Sequence, residues 1–260
     1  MLSMTYLANS WPQFIQCIEC LIENTMTGLF LSDLHLFSRR SIGQRQWDQN
    51  TDAIAAATSI VLGGDMFDFR WSQLGSLDAS LDAAAAWLEK AIAMNPSASW
   101  VYLLGNHDCH PRMQALLSSI SNRYPTFDWS PTFWRIGSNL FLHGDVLDGI
   151  RHAGGLERYR ACFHDEKAKG PLSNLLYSAV VQTRLHGLVP RVLHTRQQTC
   201  RTLLEYLKSC ETALLPEVQN IYFGHTHVPM MGYQYDRFNF HNAGSGIRYS
   251  TFTPASFDDS

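Results

Sequence analysis

The sequence predicts an α/β protein built on a largely parallel sheet, and three features of its 260 residues carry that prediction. First, five short runs rich in β-branched, aromatic and leucine residues are nearly continuous in apolar character: 28–32, 59–63, 100–104, 139–142 and 220–223. Such runs suit strands buried on both faces. Second, helical stretches separate the first three runs, which is the signature of βαβ units. Third, each run is succeeded at once by carboxylate, imidazole or amide side chains. In open α/β sheets that carboxyl edge is where ligands bind.

Taken in order, residues 1–25 precede the first strand as an N-terminal extension, with an amphipathic piece around Phe14–Ile22; Met26 is a second candidate start. The main domain then occupies 26–260. After the strand Gly28–Ser32, a helix is expected over Trp47–Thr58, a strand over Ser59–Gly63, and an alanine-rich helix over Leu77–Met94. The strand Trp100–Leu104 leads to a helix at Pro111–Tyr124, whose proline suits a first turn. The Trp and Phe residues near 127–134 read as core. The last two strands, Asn139–Leu142 and Asn220–Phe223, are separated by a long segment. Within it, three helical pieces from Leu156 to Leu215 are broken near Gly170-Pro171 and Gly187–Pro190.

With 45% hydrophobic and 17% charged residues, the composition is that of an ordinary globular chain. The net charge of −3 argues against an obligate nucleic-acid binder. That average hides a basic segment: from Arg151 to Leu215 there are ten Lys/Arg against five Asp/Glu. Cysteines at 17, 20, 109, 162, 200 and 210 read as reduced thiols, with no second pair to complete a zinc site around Cys17 and Cys20. No apolar run reaches the ~18 residues that span a bilayer, and the N-terminus lacks a secretory pattern. The expectation is a cytoplasmic protein, peripheral to the inner face of the membrane if the basic segment touches it. Nothing in the sequence fixes an oligomeric state.

The chemistry lies immediately after each strand. Asp33-Leu34-His35 succeeds the first, Gly64-Asp65-Met66-Phe67-Asp68 the second, and Gly105-Asn106-His107-Asp108 the third. His143-Gly144-Asp145 comes after the fourth and Gly224-His225-Thr226-His227 after the fifth. Each group alone means little, since an Asn-His can cap a helix. Five in order, always after a strand, are specific. This donor set favours Mn, Fe, Zn or Mg over soft metals, which would call for thiolates. Two such ions ~3.5–4 Å apart can clamp a phosphoryl group and acidify a bound water, with one carboxylate bridging them.

These blocks resemble the signature of the calcineurin-like metallophosphoesterase superfamily: D-x-H, G-D-x-x-D, G-N-H-D/E, a lone H, and G-H-x-H. They run from Asp33 to His227, about three-quarters of the chain. The resemblance implies a four-layer α/β/β/α sandwich with a helical insertion. It implies two divalent metal ions, Mn first among them, and hydrolysis of a phosphoric ester or anhydride in a small phosphorylated substrate. Asp33, His35, Asp65 and His227 would hold one ion; Asp65, Asn106, His143 and His225 would hold the other. His107 would be the general acid or the positive group at the leaving oxygen, and Asp68 would orient it and raise its pKa. Phe238–Gly246 would add a strand and loop at the rim. Of the remaining polar residues, Asp108 is expected to cap the following helix, Asp145 to steady the His143 turn, and Trp71 to line a cleft.

The segment at about 151–215 leaves directly after His143 and returns before His225, so it would form a cap over the metal edge. Its position, with the openings "FLSDLHL" and "GDMFDF", is similar to the UDP-2,3-diacylglucosamine hydrolases, which cleave a pyrophosphate in a nucleotide-linked lipid. Members of that group commonly carry Arg where this chain has His107. Phosphatases or phosphodiesterases of the same fold acting on nucleotides, phosphoproteins or DNA stay open as alternatives, as does a non-catalytic metal-binding scaffold.

Overall fold

The computed structural model describes residues 27–164, 195–210 and 212–258. The expected N-terminal extension, the Cys17/Cys20 pair and the middle of the basic segment lie outside those residues. Among the described residues, ten strands form two five-stranded sheets. The first sheet has the order β10-β1-β2-β3-β4, from β1 (Thr27–Leu31), β2 (Ser59–Leu62), β3 (Ser99–Leu103), β4 (Phe127–Ser130) and β10 (Ala255–Asp258). Its neighbours are parallel except β10, which runs antiparallel to β1. The second sheet has the order β5-β6-β7-β9-β8, from β5 (Phe133–Ile136), β6 (Asn139–Leu142), β7 (Asn220–Tyr222), β8 (Met230–Tyr235) and β9 (Phe238–Asn242). Here β6, β7 and β9 are parallel, flanked by antiparallel β5 and β8.

The period-2 alternation of strands explains the layers. Phe30, Val61, Val101 and Leu103 point inward to meet Phe141, Tyr222 and Ala243 of the other sheet. Their neighbours Leu29, Leu31, Ile60, Leu62, Trp100 and Tyr102 point outward to a helical layer. Phe141 anchors the seam, 4.9 Å from Tyr222 and 4.8 Å from Phe257 between ring centroids. Burying each such ring contributes about 1.5–3 kcal/mol. The outer helices of the first sheet are α1 (Gly43–Asp48), α2 (Thr51–Ala56), α3 (Leu77–Met94) and α4 (Pro111–Arg123). On the second sheet, α7 (Arg196–Cys210) buries Cys200, Leu203, Leu204 and Leu207 against Leu140, Ile221 and Phe223. The result is the four-layer α/β/β/α sandwich.

Local chemistry sets the helix bounds. Ser76 caps α3, its hydroxyl accepting from the Ala79 N–H at 3.1 Å, and Leu81, Ala84, Leu88, Ala91 and Ile92 form the buried stripe. Pro111 opens α4 as expected, but its cap is His110, whose Nδ1 accepts from the Arg112 N–H, and not Asp108. The helix expected over Trp47–Thr58 is split in two. Asn50 leaves helical geometry at φ −114° and ψ 11°, and its side-chain amide donates to the Gln46 carbonyl. The loop-and-strand expected at the rim from Phe238 is an interior strand, β9, between β7 and β8. Two short helices, α5 (Val146–Gly149) and α6 (Gly155–His164), come after β6. No helix among the described residues is long and apolar enough to cross a membrane.

Candidate metal centre

The loops after β1, β2, β3, β6 and β7 meet at one end of the sandwich and bring the nine sequence-predicted residues to a common edge. Backbone hydrogen bonds zip the first two loops together: Asp33 N–H to Gly64 O, His35 N–H to Asp65 O and Leu36 N–H to Met66 O, at 2.8–3.0 Å. Across the seam, His225 N–H donates to both carboxylate oxygens of Asp33, and within the second sheet's edge Gly224 N–H donates to His143 O. Behind them the loop after β9 closes the floor, with Gly246 N–H donating to Asp33 O and the Asn242 amide to Gly224 O.

Five of the residues adopt left-handed backbone: Asp33 (φ 56°), His35 (48°), Asp65 (52°), His225 (63°) and His227 (56°). Non-glycine residues seldom adopt this region, and each costs on the order of 1 kcal/mol or more. Five in one cluster mark a site whose geometry the fold imposes. Gly224 shows how tight that geometry is, because a Cβ there would collide with the Asp33 carboxylate.

Two groups of converging side chains have metal-ligand character, Asp33/His35/His227 and Asp65/His143/His225. In the first, the Nε2 atoms of His35 and His227 lie 3.0 Å apart, with Asp33 Oδ1 3.3 Å from His227 Nε2. Two imidazole nitrogens aimed at each other beside a carboxylate fit a shared cation. In the second, His143 Nδ1–H donates to Gly63 O, which turns Nε2 toward Asp65 Oδ2 at 3.4 Å. Asp65 connects the groups: Oδ2 also lies 4.0 Å from His35 Nε2, while Oδ1 accepts from the His107 N–H. His143 Nε2 and the Asn106 carbonyl oxygen are buried without a hydrogen bond among the described residues. Buried polar atoms are ordinarily satisfied, and here the donor chemistry fits divalent cations.

A third group, His35/Asp68/His107, lies beside these. His107 Nδ1 is 3.1 Å from Asp68 Oδ1. Burial disfavours its charge, but Asp68 and then Asp65 outweigh burial and raise its pKa to about 9. Burial also acts to raise Asp68, yet His107, His35 and the Trp71 N–H hold it below the usual carboxylate range. His143 is lifted to about 10, mainly by Asp65 against burial, whereas burial pushes His35 down to about 4. The carboxylates thus draw positive charge into the edge.

Several neighbours have roles that motif spacing does not show. Buried Arg40 places Nη2 3.8 Å from Asp68 Oδ2 and its guanidinium over Trp71. Asp108 ties its own loop to the second one, accepting from the Gly105 and Met66 N–H groups and the Tyr102 hydroxyl. Arg160, which sequence alone counts among the basic cap residues, is buried. It makes a bidentate pair with Asp145 at 2.6 and 2.9 Å and donates to Leu104 O and Pro131 O. Asp148 accepts from His225 Nε2 at 2.9 Å. The roles of all four depend on contacts across the fold, which no local pattern shows.

A two-sheet sandwich with carboxylates and imidazoles converging at its strand-end edge defines a metallohydrolase. The calcineurin-like phosphoesterase family matches residues 26–229, and the chain belongs to that family. It is a metal-dependent phosphoester hydrolase. No curated protein matches the chain. Solved structures similar to it include Yfce, a phosphoesterase from E. coli, at 15% identity and TM-score 0.40, covering 90% of this chain and 88% of that one. A dimetal phosphatase from Danio rerio is similar at 14% identity and TM-score 0.46, covering 89% and 92%.

Proposed function

We propose that the enzyme is a dinuclear phosphohydrolase that cleaves a phosphodiester or pyrophosphate bond in a nucleotide-linked lipid such as UDP-2,3-diacylglucosamine. The observation that carries the dinuclear reading is the pair of cross-sheet clusters lying side by side, with Asp65 Oδ2 3.4 Å from His143 Nε2 in one and 4.0 Å from His35 Nε2 in the other, and the His107–Asp68 pair at their side. Asp33, His35, Asp65 and His227 hold one ion, and Asp65, Asn106, His143 and His225 the other. When bound, two divalent ions, Mn in the first instance, clamp the phosphoryl oxygens and activate water.

The chain's own residues do the rest. His107 is the general acid. Its Nδ1–H is taken by Asp68, so the proton for the leaving oxygen comes from Nε2. Its side chain is 20% exposed, against 2% for Asp68, which leaves it open to substrate. Asp68 keeps the imidazolium charged until transfer, and Arg40 helps keep Asp68 ionised. The lipid part of the proposal is supported by the resemblance of the first two blocks and by the basic segment at about 151–215. Basic side chains of that segment would attract anionic phosphate groups, including headgroups at the inner face of the membrane.

The test is turnover by purified protein with Mn²⁺ on bis(4-nitrophenyl) phosphate, UDP-2,3-diacylglucosamine, cyclic nucleotides and dinucleoside polyphosphates. Chelation should abolish all activity and Mn²⁺ restore it, with the highest kcat/KM on the nucleotide-linked lipid. No turnover of any phosphoester with any divalent ion would sink the hydrolase reading. Efficient turnover of cyclic nucleotides with none of the lipid would sink the substrate.

A further inference from the structure

We infer that Asp148 is a positioning residue of the centre, which fixes the tautomer of His225 and thereby the nitrogen that His225 offers to an ion. The inference rests on the dinuclear reading above. Asp148 lies on α5, outside every strand-end block, and its Oδ2 is 2.9 Å from His225 Nε2. A carboxylate oxygen only accepts, so the proton sits on Nε2 and Nδ1 carries the free lone pair. His143, in the same cluster, has the opposite arrangement: Nδ1–H is donated to Gly63 O and Nε2 faces Asp65. The two imidazoles therefore present different nitrogens, each held by a hydrogen bond on its far side. Outer partners of this kind set ring orientation and raise ligand basicity.

Asp148 is itself braced from the helix above it. The same Oδ2 accepts from the Tyr159 hydroxyl at 3.4 Å, and the next residue, Arg160, anchors α6 through its buried pair with Asp145. Asp145 and Asp148 flank one short turn, so a single helix steadies both. The side chain of Asp148 is 37% exposed and that of His225 10%, which makes substitution at Asp148 tolerable for folding.

The experiment measures Mn²⁺ binding by calorimetry for the parent, Asp148→Ala and Asp148→Asn, with ¹⁵N NMR of the His225 ring in Zn²⁺-loaded protein. Asp148→Ala should weaken one of two ions by about 10–100-fold and leave the other unchanged. It should also move the His225 ring away from a pure Nε2–H form. Asp148→Asn keeps a carbonyl acceptor and should recover most of the affinity. If the parent binds two ions and Asp148→Ala binds both as tightly, the positioning role is overturned while the dinuclear reading survives. If Asp148→Asn is as impaired as Asp148→Ala, charge or direct ligation is at work and the inference is overturned. A parent that binds no divalent ion overturns the reading beneath it. Thermal unfolding of the metal-free variants checks that each is folded.

Discussion

The two sheets bring different chemistry to the shared edge. Loops of the first sheet supply the carboxylates Asp33, Asp65 and Asp68, along with His35, Asn106 and His107. Loops of the second supply the imidazoles His143, His225 and His227. Two of the three metal-type clusters take members from both sheets, Asp33 and His35 with His227, and Asp65 with His143 and His225. Neither sheet alone completes either of these two clusters; the third, His35/Asp68/His107, comes from the first sheet alone. The centre is thus a property of the seam, and cations bound there would join the sheets as well as catalyse. Arg160 joins them by another route, bonding Leu104 O at the end of β3 and Asp145 after β6.

The sharpest way to break this arrangement is at its shared carboxylate. Asp65→Asn should reduce turnover to background and lower bound Mn²⁺ from two ions to fewer than one, because Oδ2 faces both clusters. Asp33→Asn should weaken mainly the cluster with His35 and His227. Metal analysis and turnover on an aryl phosphodiester decide it; equal, partial losses in both variants would contradict a bridging role for Asp65.

His107 tests whether the acid belongs to the first sheet's side of the edge. His107→Asn should cut kcat by about 10²–10⁴-fold on a substrate with a poor leaving group. The loss should be small with nitrophenolate, which departs without a proton. An equal loss on both would mean that His107 positions substrate without protonating it.

The guanidinium tie between the sheets can be set against the metal tie. Arg160→Met leaves Asp145 buried and unpaired, and breaking such a pair costs about 3–5 kcal/mol. Chemical denaturation of metal-free protein should show that loss. Excess Mn²⁺ should recover part of it, since ligand binding to the folded state stabilises it. A variant as stable as the parent would mean that α6 is not held by this pair.

Legibility in the sequence divides along the same lines. Five of the six interior strands, β1, β2, β3, β6 and β7, are readable because burial makes them nearly continuous apolar runs, and β6 matches to the residue. The strands β4, β5, β8 and β10 are not, because they lie at sheet edges and mix polar with apolar residues, as in Phe127–Ser130 (FDWS). Metal-type side chains are legible because each sits within a few residues of a strand end. Asp148, Arg40 and Arg160 are not, because their roles depend on partners brought together by the fold. Arg160 in particular counts as a cap charge by composition, yet it is 8% exposed and spent on Asp145. Likewise Leu203, Leu204 and Leu207, at helical spacing in the basic segment, pack on the second sheet.

The smallest expected effect separates two histidines of that second sheet. His143 lies against Asp65 and is raised to about 10, whereas His241 on β9 stacks on Tyr222 at 4.4 Å and burial lowers it to about 4. His241 accepts from the Gly232 N–H through Nδ1, and burial is the one cause of its shift. In the unfolded chain it titrates near its ordinary 6.5. Between pH 6.5 and 4 the unfolded state therefore binds the extra proton, and stability falls as pH falls. The contribution is fully present above pH 6.5 and lost as pH drops through 4. For a partly exposed ring the screened size is about 1–2 kcal/mol. His241→Gln keeps an acceptor for Gly232 without a proton to bind. Denaturation midpoints at pH 7 and pH 4.5 should thus differ less in His241→Gln than in the parent. An unchanged pH slope would mean that His241 stays solvated enough to ionise in place, and that desolvation at the seam weighs on the metal-facing histidines alone.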